Sequence, residues 1–396
     1  MKIQLKNIIE IITLSLLVLF AVSFRGNDMI FLTVLGIGAV ISFAFQRKIV
    51  LNIELCLLIL TFFSYYYIFL CRGSQYLQLY YAYRSFLAPI FAYLFGYAFT
   101  NSNHKKALKI FIAVAVGRMI HGLLNEYISF NALTANHRSV VDFWTGNEYV
   151  ATLQATYFIF AIAIGAWLLI KPKLIYKAIG ILFLILSLSS ALLISSRTVI
   201  IMVSVAVVYI IIFNQRKNAI KKSMILISLL AVIFVAYNYN LVGIRSFIEH
   251  SNLMQRMNER GGDFLSTTRA QLSMQVLRSL FDYPFGDMPF RYAHNLWLDV
   301  ARQTGLIPFV LIILYTISTI YNLYRVNKQK VYLYDFYMLV NLLYLIMFMN
   351  FFTEPILEGA PTVFYIFCMI NGAVHSLVKA PITYQSIDLN ARREYK

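Results

Sequence analysis

The stretch LIYKAIGILFLILSLSSALLISSRTVIIMVSVAVVYIIIF, residues 174–213, decides the fold class of this chain. Two apolar runs, 174–194 and 198–213, are separated only by a short polar turn that contains Arg197. Each run is close to the roughly 20 residues that an α-helix needs to cross a bilayer. The stretch therefore predicts two consecutive membrane-spanning helices joined by a tight turn.

The composition extends this prediction to the whole chain. Hydrophobic residues make up 60% of the sequence and charged residues 13%, and the mean hydropathy is +0.70. A soluble domain, in contrast, is about half apolar and a quarter charged. We therefore predict an all-α polytopic membrane protein, a single integral membrane domain over residues 1–396 with about twelve transmembrane helices. The first apolar run has no small-residue cleavage site after it, so we expect an uncleaved signal-anchor. The predicted spans are 8–24, 29–45, 50–70, 78–99, 107–124, 151–170, 174–194, 198–213, 223–242, 304–323, 332–352 and 360–378.

The charge distribution predicts the orientation of the spans. A net charge of +17 would point to nucleic acid in a soluble protein, but here positive residues in cytoplasmic loops account for it, and we expect no nucleic-acid partner. Loops that carry lysine alternate with loops that carry none, which places both termini in the cytoplasm.

All basic residues predicted to lie outside or within the membrane are arginines. The planar guanidinium is preferred where a phosphate or carboxylate must be gripped by two parallel hydrogen bonds, so we predict an anionic substrate. Translocation bias against lysine, with chance pairing to aspartates, is the alternative. These arginines are Arg25, Arg72, Arg84, Arg118, Arg138, Arg197, Arg245, Arg256, Arg260, Arg269, Arg278, Arg291 and Arg302.

Two outer segments are long: residues 125–150, and residues 243–303 between the ninth and tenth spans. Helical spacing over 267–281 places Leu272, Val276, Leu277 and Leu280 on one stripe. Because an α-helix rotates by 100° per residue, Arg269 falls on this apolar side and Arg278 falls on the opposite side. Arg269 is therefore a ligand candidate, with snorkelling to the interface as the alternative, and Arg278 is expected to face water.

His294 and Asn295 follow on the same loop. A neutral imidazole at the outer membrane surface is the usual general base near neutral pH, and a buried structural histidine is the alternative. Asn295 is either a substrate ligand or the N-cap of the next helix. Arg84 and Arg118 lie in or near apolar runs, where ionisable groups are functional candidates or bridge helices.

Other chemistry is not indicated. The three cysteines are scattered and predict neither a disulfide framework nor a metal site. The sequence has no nucleotide-binding glycine pattern and no clustered metal ligands, so we expect no metal and no other cofactor.

Several short motifs together resemble the O-antigen polymerase and ligase superfamily of bacterial inner membranes. They are Ser196-Arg197-Thr198, Arg269 at the start of a helix, Asp282-Tyr283-Pro284-Phe285-Gly286, His294-Asn295-Leu296-Trp297-Leu298 and Thr304-Gly305-Leu306-Ile307-Pro308. The hydropathy likeness covers nearly the whole chain, and the residue likeness covers mainly 195–199 and 265–308.

This resemblance implies a membrane glycosyltransferase of the GT-C type that works without metal at the periplasmic face. Its substrates would be undecaprenyl-pyrophosphate-linked oligosaccharides, its surroundings the lipid bilayer, and a chain-length regulator a further protein partner. Carried onto matching positions, Arg197 and Arg269 would bind the pyrophosphate and His294 would act as base. Arg291 and Asn295 are further substrate-binding candidates, and Glu354 or Glu358 matches only loosely.

Polymerases of lipopolysaccharide repeat units and ligases that move glycan to lipid A core both fit these motifs. A compact chain with 28 tyrosines and 32 phenylalanines favours a polymerase. A flippase for lipid-linked oligosaccharide would place charges along a cavity open to both sides and often shows internal repeats, and neither feature is present in the sequence. A non-catalytic scaffold would leave the one-sided arginines unexplained.

Overall fold

The structure is a computed structural model that describes residues 2–46, 52–71, 86–133, 139–213, 239, 249–259, 268–329 and 334–378. Helices dominate it, and one two-stranded antiparallel sheet is present in this part of the chain. In chain order the elements are α1 Lys2–Ala21, α2 Asp28–Gln46, α3 Ile53–Cys71, α4 Ala88–Thr100, α5 His104–Ser129, β1 Ser139–Val141, β2 Glu148–Val150, α6 Ala151–Ala155, α7 Ile159–Leu168, α8 Leu174–Leu193, α9 Arg197–Phe213, α10 Asn252–Glu259, α11 Thr268–Arg278, α12 Leu296–Thr304, α13 Leu306–Gln329, α14 Tyr334–Phe351, α15 Ile356–Gly359 and α16 Pro361–Val378.

Within the described residues, eight helical segments are long and apolar enough to cross a membrane, and three shorter apolar helices accompany them. The shorter ones are Asn7–Ala21, Ala88–Thr100 and Arg197–Phe213. Eight plus three gives eleven helices at the positions of eleven predicted spans. The ninth predicted span, 223–242, lies outside the described residues except for Tyr239. The chain is thus an α-helical multi-pass membrane protein, and the total of about twelve spans stays a prediction.

The helix bounds differ from the predicted span and loop bounds at several points. The first span was expected to reach residue 24, but α1 ends at Ala21 and the chain turns through Ser23 and Arg25, both with positive φ (51° and 54°). The predicted loop 125–150 begins inside α5, and β1 pairs with β2 in it (Ser139 opposite Val150), a small departure from an all-α fold. The predicted loop 243–303 contains α10, α11 and most of α12, so its described part is largely helical.

The centre of the bundle is α16, whose residues are buried along its whole length. It packs against α4, α5 and α13. The backbones of α4 and α16 approach so closely that a Cβ added at Gly96 would lie 1.9 Å from the Met369 carbonyl oxygen, and one at Gly372 would lie 2.0 Å from the Tyr93 carbonyl oxygen. Small residues at such crossings let membrane helices pack backbone to backbone.

The turns between helices gather at two opposite ends of the bundle. We call one of these the arginine end. It is formed by residues 22–27, 130–133, 139–150, 194–196 and 352–360 together with α10, α11 and α12. Hydrogen bonds join its parts: Trp144 Nε1 to the Val22 carbonyl (2.9 Å), Thr362 Oγ1 to Asp28 Oδ2 (2.9 Å) and Asn252 Nδ2 to the Leu193 carbonyl (2.8 Å).

We call the opposite end the lysine end. It is formed by the turns 101–103 and 169–173 and by the C-terminal ends of α9, α13 and α16. It is joined by Lys171 with Asp335, Ser102 N to Ser376 Oγ (2.7 Å) and Gln329 Nε2 to the Val378 carbonyl (2.7 Å). All lysines with described side chains lie here: Lys105, Lys106, Lys109, Lys171, Lys173, Lys177 and Lys328. The two ends agree with the predicted charge alternation, while the side of the membrane that each faces stays a prediction.

Candidate active site

The site is built on α11, α12 and the turn between them, at the arginine end. The apolar face of α11 packs Val276 and Leu280 against Ala293 and Ala301 of the following segment. Leu277 was expected on this face, but 44% of it is exposed, because the stripe that contacts α12 is narrower than the one predicted. Arg278 is exposed and Arg269 is half-buried, as the helical spacing predicted.

The turn at Pro284 to Gly286 docks on the break between α12 and α13. Leu306 N donates a hydrogen bond to the Pro284 carbonyl (2.8 Å). Gly286 and Gly305 both have positive φ (79° and 81°), and a Cβ at Gly305 would lie 2.1 Å from the Pro284 carbonyl oxygen. The two glycine-bearing motifs of the sequence are therefore halves of one backbone junction, which fixes where α12 ends and α13 begins.

His294 is presented from a left-handed backbone conformation, with φ of 54°. For a residue other than glycine this conformation costs roughly 1–3 kcal/mol, and surrounding contacts must hold it. Asp299 supplies them, since its carboxylate accepts hydrogen bonds from Ala293 N (2.7 Å) and Asn295 N (3.1 Å), the amides on either side of His294. The first turn of α12 thus clamps the residue that precedes it.

A second layer holds Asp299 in place. Arg302, one turn further along α12, brings its Nε within 3.7 Å of Asp299 Oδ1 and forms an ion pair with Glu358 of α15. Burial raises the pKa of Asp299, against the hydrogen bonds from the two amides and the charge of Arg302. Burial likewise raises the pKa of Glu358 to about 6, against the charge of Arg302. The clamp on His294 is therefore connected to the turn between α14 and α16.

The imidazole of His294 is neutral at physiological pH. Burial, and secondly the positive charge of Arg269, lower its pKa to about 4. Its Nδ1 is buried and has no hydrogen-bond partner among the described residues. An uncharged imidazole with an unused nitrogen can accept a proton from a bound group.

Arg269 links α11 to the turn after α14. Its Nη1 donates a hydrogen bond to the Thr353 carbonyl (2.9 Å). Glu354, the next residue, is 1% exposed. Of the residues proposed from the sequence, the structure thus places Arg269 close enough to His294 to affect its pKa and in contact with the residue before Glu354.

The other candidates are placed as follows. Asn295 caps α12, with its Oδ1 accepting from Trp297 N (3.1 Å) and Leu298 N (3.2 Å), which is the alternative that the sequence left open. Arg291 is exposed. Arg197 is half-buried at the first position of α9, directly after the tight turn at the arginine end. Arg84 lies outside the described residues.

Arg118 belongs to a different cluster, on α5. It is 2% exposed, and its guanidinium carbon lies 3.7 Å from the centroid of the Tyr157 ring. One turn away, His121 Nε2 bonds Asp142 Oδ2 (2.8 Å). Although burial raises it, hydrogen bonds from His121 and Thr145 hold the pKa of Asp142 below its ordinary value. These contacts pin the hairpin onto α5 and favour the helix-bridging alternative for Arg118.

Sequence reasoning missed the residues that position His294. Asp299 and Arg302 stand three apart at the start of a helix, a spacing that places opposite charges on one face. That spacing could have indicated an ion pair on α12. It does not show that the Asp299 carboxylate accepts hydrogen bonds from the backbone amides of residues 293 and 295.

It also missed a buried polar network near the lysine end. Glu54 is 1% exposed and accepts hydrogen bonds from four side chains on three other helices. They are Thr319 Oγ1 (2.8 Å), Asn322 Nδ2 (2.8 Å), Tyr93 OH (3.1 Å) and His375 Nδ1 (2.9 Å). Glu54 lies in the first turn of α3. Its partners come from α4, α13 and α16, so no local sequence pattern predicts these contacts.

No family model and no curated protein sequence matches the chain. Among the described residues, no group of three or more histidine, cysteine, aspartate or glutamate side chains could hold a metal ion. The function is therefore argued from the site itself.

Proposed function

We propose that the chain is a metal-independent glycosyltransferase of the bacterial inner membrane. It polymerises a surface polysaccharide by transferring undecaprenyl-pyrophosphate-linked glycan onto another lipid-linked repeat unit at the periplasmic face. The observation that carries the proposal is the neutral His294, clamped by Asp299 beside Arg269 at the arginine end.

The reaction needs two groups that this arrangement supplies. The acceptor hydroxyl attacks the anomeric carbon of the donor, the bond to the diphosphate oxygen breaks, and undecaprenyl pyrophosphate leaves. His294 takes the hydroxyl proton, a contribution of typically 10²–10⁴-fold. A fixed guanidinium such as that of Arg269 stabilises the negative charge that develops on the leaving diphosphate, and Arg197 is the second proposed diphosphate ligand.

Donor binding would also activate the base. In the free protein the charge of Arg269 helps to keep the pKa of His294 at about 4, which makes the imidazole a weak base. A bound diphosphate offsets that charge, and its own negative charge favours the imidazolium, so the pKa rises towards neutrality. The histidine is then a competent base only when the leaving group is in place.

Two alternatives differ in acceptor or in reaction. A ligase would use the same residues and transfer glycan to lipid A core. A transporter of lipid-linked oligosaccharide would use a buried ionisable group in the spans, and Glu54 with His375 is the feature that favours it. Among the described residues, four side chains from three helices already bond the Glu54 carboxylate, as expected for a structural pin.

Gene deletion followed by gel analysis of the surface glycan tests the proposal. We expect lipopolysaccharide with a single repeat unit, restored to long chains by the wild-type gene and by His250→Ala, an exposed histidine at the same end. His294→Ala should fail to restore long chains although the protein is present in the membrane. Accumulated lipid-linked polymer would indicate a ligase, lipid-linked single units trapped inside a flippase, and wild-type chains with His294→Ala would refute the catalytic role.

A further inference from the structure

A groove lies in the lysine-end half of the bundle, away from the candidate active site. Four helices surround it: α1 packs on α2 and α5, and α4 packs on α2 and α5. Its volume is about 550 Å³, within the roughly 300–1,000 Å³ of small-molecule sites. Most of its wall is apolar, with Leu16, Leu35, Phe95 and Phe99 among the lining residues.

The groove exists because α2 presents small residues where it faces α1 and α4. Gly38 and Ala39 line it, and a Cβ added at Gly38 would have nothing within 4 Å. Its rim includes Ile9 of α1 and Val34 of α2, which are 56% and 48% exposed. Exposed apolar side chains on membrane-spanning helices face hydrocarbon. The groove therefore opens sideways between α1 and α2, where an acyl chain can enter without passing a polar barrier.

The end of the groove nearest the lysine end carries an excess of positive charge. Lys106 lines it, with its Nζ 5.3 Å from the centroid of the Phe99 ring. Lys105, the residue before it in α5, is exposed, and Lys109, one turn further along α5, forms an ion pair with the lining residue Glu10. Three lysines against one glutamate leave a surplus that fits an anionic headgroup at the depth where an acyl chain would end.

We infer that this groove binds one anionic phospholipid from the leaflet at the lysine end. Its acyl chain lies along Gly38 and Phe95, and its phosphate contacts Lys105 and Lys106. The site is independent of glycan transfer, since none of its residues belongs to the proposed catalytic group.

Native mass spectrometry of the purified, delipidated full chain tests the inference. The probes are phosphatidylglycerol and phosphatidylcholine with the same acyl chains. We expect the first phosphatidylglycerol to bind about tenfold more tightly, which corresponds to one charge-assisted hydrogen bond, because the choline cation opposes the lysines. High salt should weaken this preference.

Two variants separate the parts of the site. Gly38→Leu fills the groove where there is open space and should remove the tight binding of both lipids, with Val40→Leu on the exposed face of the same helix as its control. Lys105→Gln/Lys106→Gln should abolish the preference for phosphatidylglycerol, whereas Lys173→Gln/Lys177→Gln, exposed at the same end, should keep it. Thermal unfolding in the same detergent verifies that each variant is folded.

Unchanged tight binding in Gly38→Leu would overturn the assignment of the groove. A preference that persists in the Lys105→Gln/Lys106→Gln variant, or that is absent in the wild type, would overturn the assignment of the headgroup.

Discussion

At the scale of single residues, His294 combines an unfavourable, left-handed backbone conformation with a lowered side-chain pKa. Its positive φ is held by the two amide hydrogen bonds to Asp299, and its pKa is lowered by burial and by Arg269. Strained residues of this kind concentrate at functional sites. The residue next to it, Asn295, is in contrast explained by its local role as a helix cap.

The guanidinium shape of Arg269 is expected to matter as much as its charge. Arg269→Lys should reduce polymer formation nearly as severely as Arg269→Ala, because an ammonium cannot hold the Thr353 carbonyl and grip a diphosphate with a planar fork. Gel analysis of glycan chain length in a complemented deletion strain measures the effect. Arg278→Ala, on the exposed side of the same helix, should retain long chains. Full activity of Arg269→Lys would mean that charge alone suffices.

The titration of His294 gives a pH prediction. Since its pKa in the free protein is about 4, the acidic limb of kcat/KM should lie near pH 4 instead of near the ordinary histidine value of about 6.5. The acidic limb of kcat should lie at higher pH, because the bound diphosphate raises the pKa. Assays with purified protein and lipid-linked substrate measure both profiles, and coincident limbs would contradict activation of the base by the donor.

The same shift has a consequence for stability. The folded pKa lies below the unfolded value, so the unfolded chain binds this proton first as the pH falls. The contribution of the neutral His294 imidazole to the free energy of unfolding is fully present above about pH 6.5 and is lost progressively as the pH falls towards 4. His294→Gln, which does not titrate, should therefore lose less stability than the wild type over this interval.

At the scale of elements, the geometry of the site depends on one backbone junction. The turn after α11 meets the break between α12 and α13 through Pro284, Gly286 and Gly305. The junction sets the position of α12, and α12 carries the carboxylate that clamps His294. A change at the junction should therefore reach the catalytic group without touching it.

Gly305→Ala tests this dependence. The added methyl would meet the Pro284 carbonyl at 2.1 Å and would stand on a backbone with φ of 81°. We expect a lower thermal stability and loss of long glycan chains. Gly146→Ala is the matched control, since Gly146 also has a positive φ (72°) but its Cβ would have nothing within 4 Å. It should show only the backbone penalty of roughly 1 kcal/mol, and equal effects of both substitutions would contradict the importance of the junction.

At the scale of the whole molecule, the bundle is held by contacts between distant spans. The close crossing of α4 and α16 at Gly96 and Gly372 supplies dense packing, and the Glu54 network joins α3, α4, α13 and α16. Ionisable side chains within a membrane protein usually face the bundle interior and pair with one another. The network lies at the other end of the bundle from His294, so it stabilises the scaffold without taking part in the proposed chemistry.

Glu54→Gln should destabilise the bundle by about 1–3 kcal/mol, the usual cost of leaving a buried hydrogen-bonding group without its partner. The amide of the glutamine would face the donors of Asn322 and His375. Thermal unfolding in detergent measures the change. Glu10→Gln, which breaks the partly exposed pair with Lys109, should have an effect of about 0–1 kcal/mol. A stable Glu54→Gln variant that prevents export of the glycan, without shortening the chains that are exported, would favour the transporter.

The sequence by itself determined the helical membrane architecture, the confinement of the lysines to one end and the side of α11 on which Arg269 lies, and it offered the helix cap as one of two roles for Asn295. These features depend on apolar runs, charges and spacings within a few residues. Only the tertiary structure decided the rest, because the partners are far apart in the chain: Arg269 and Thr353 are 84 residues apart, and Glu54 and His375 are 321 apart. The clamp on His294 is short in sequence, yet it too was decided by the fold. It requires α12 to begin at residue 296, and the packing of Pro284 against Gly305 fixes that helix in place.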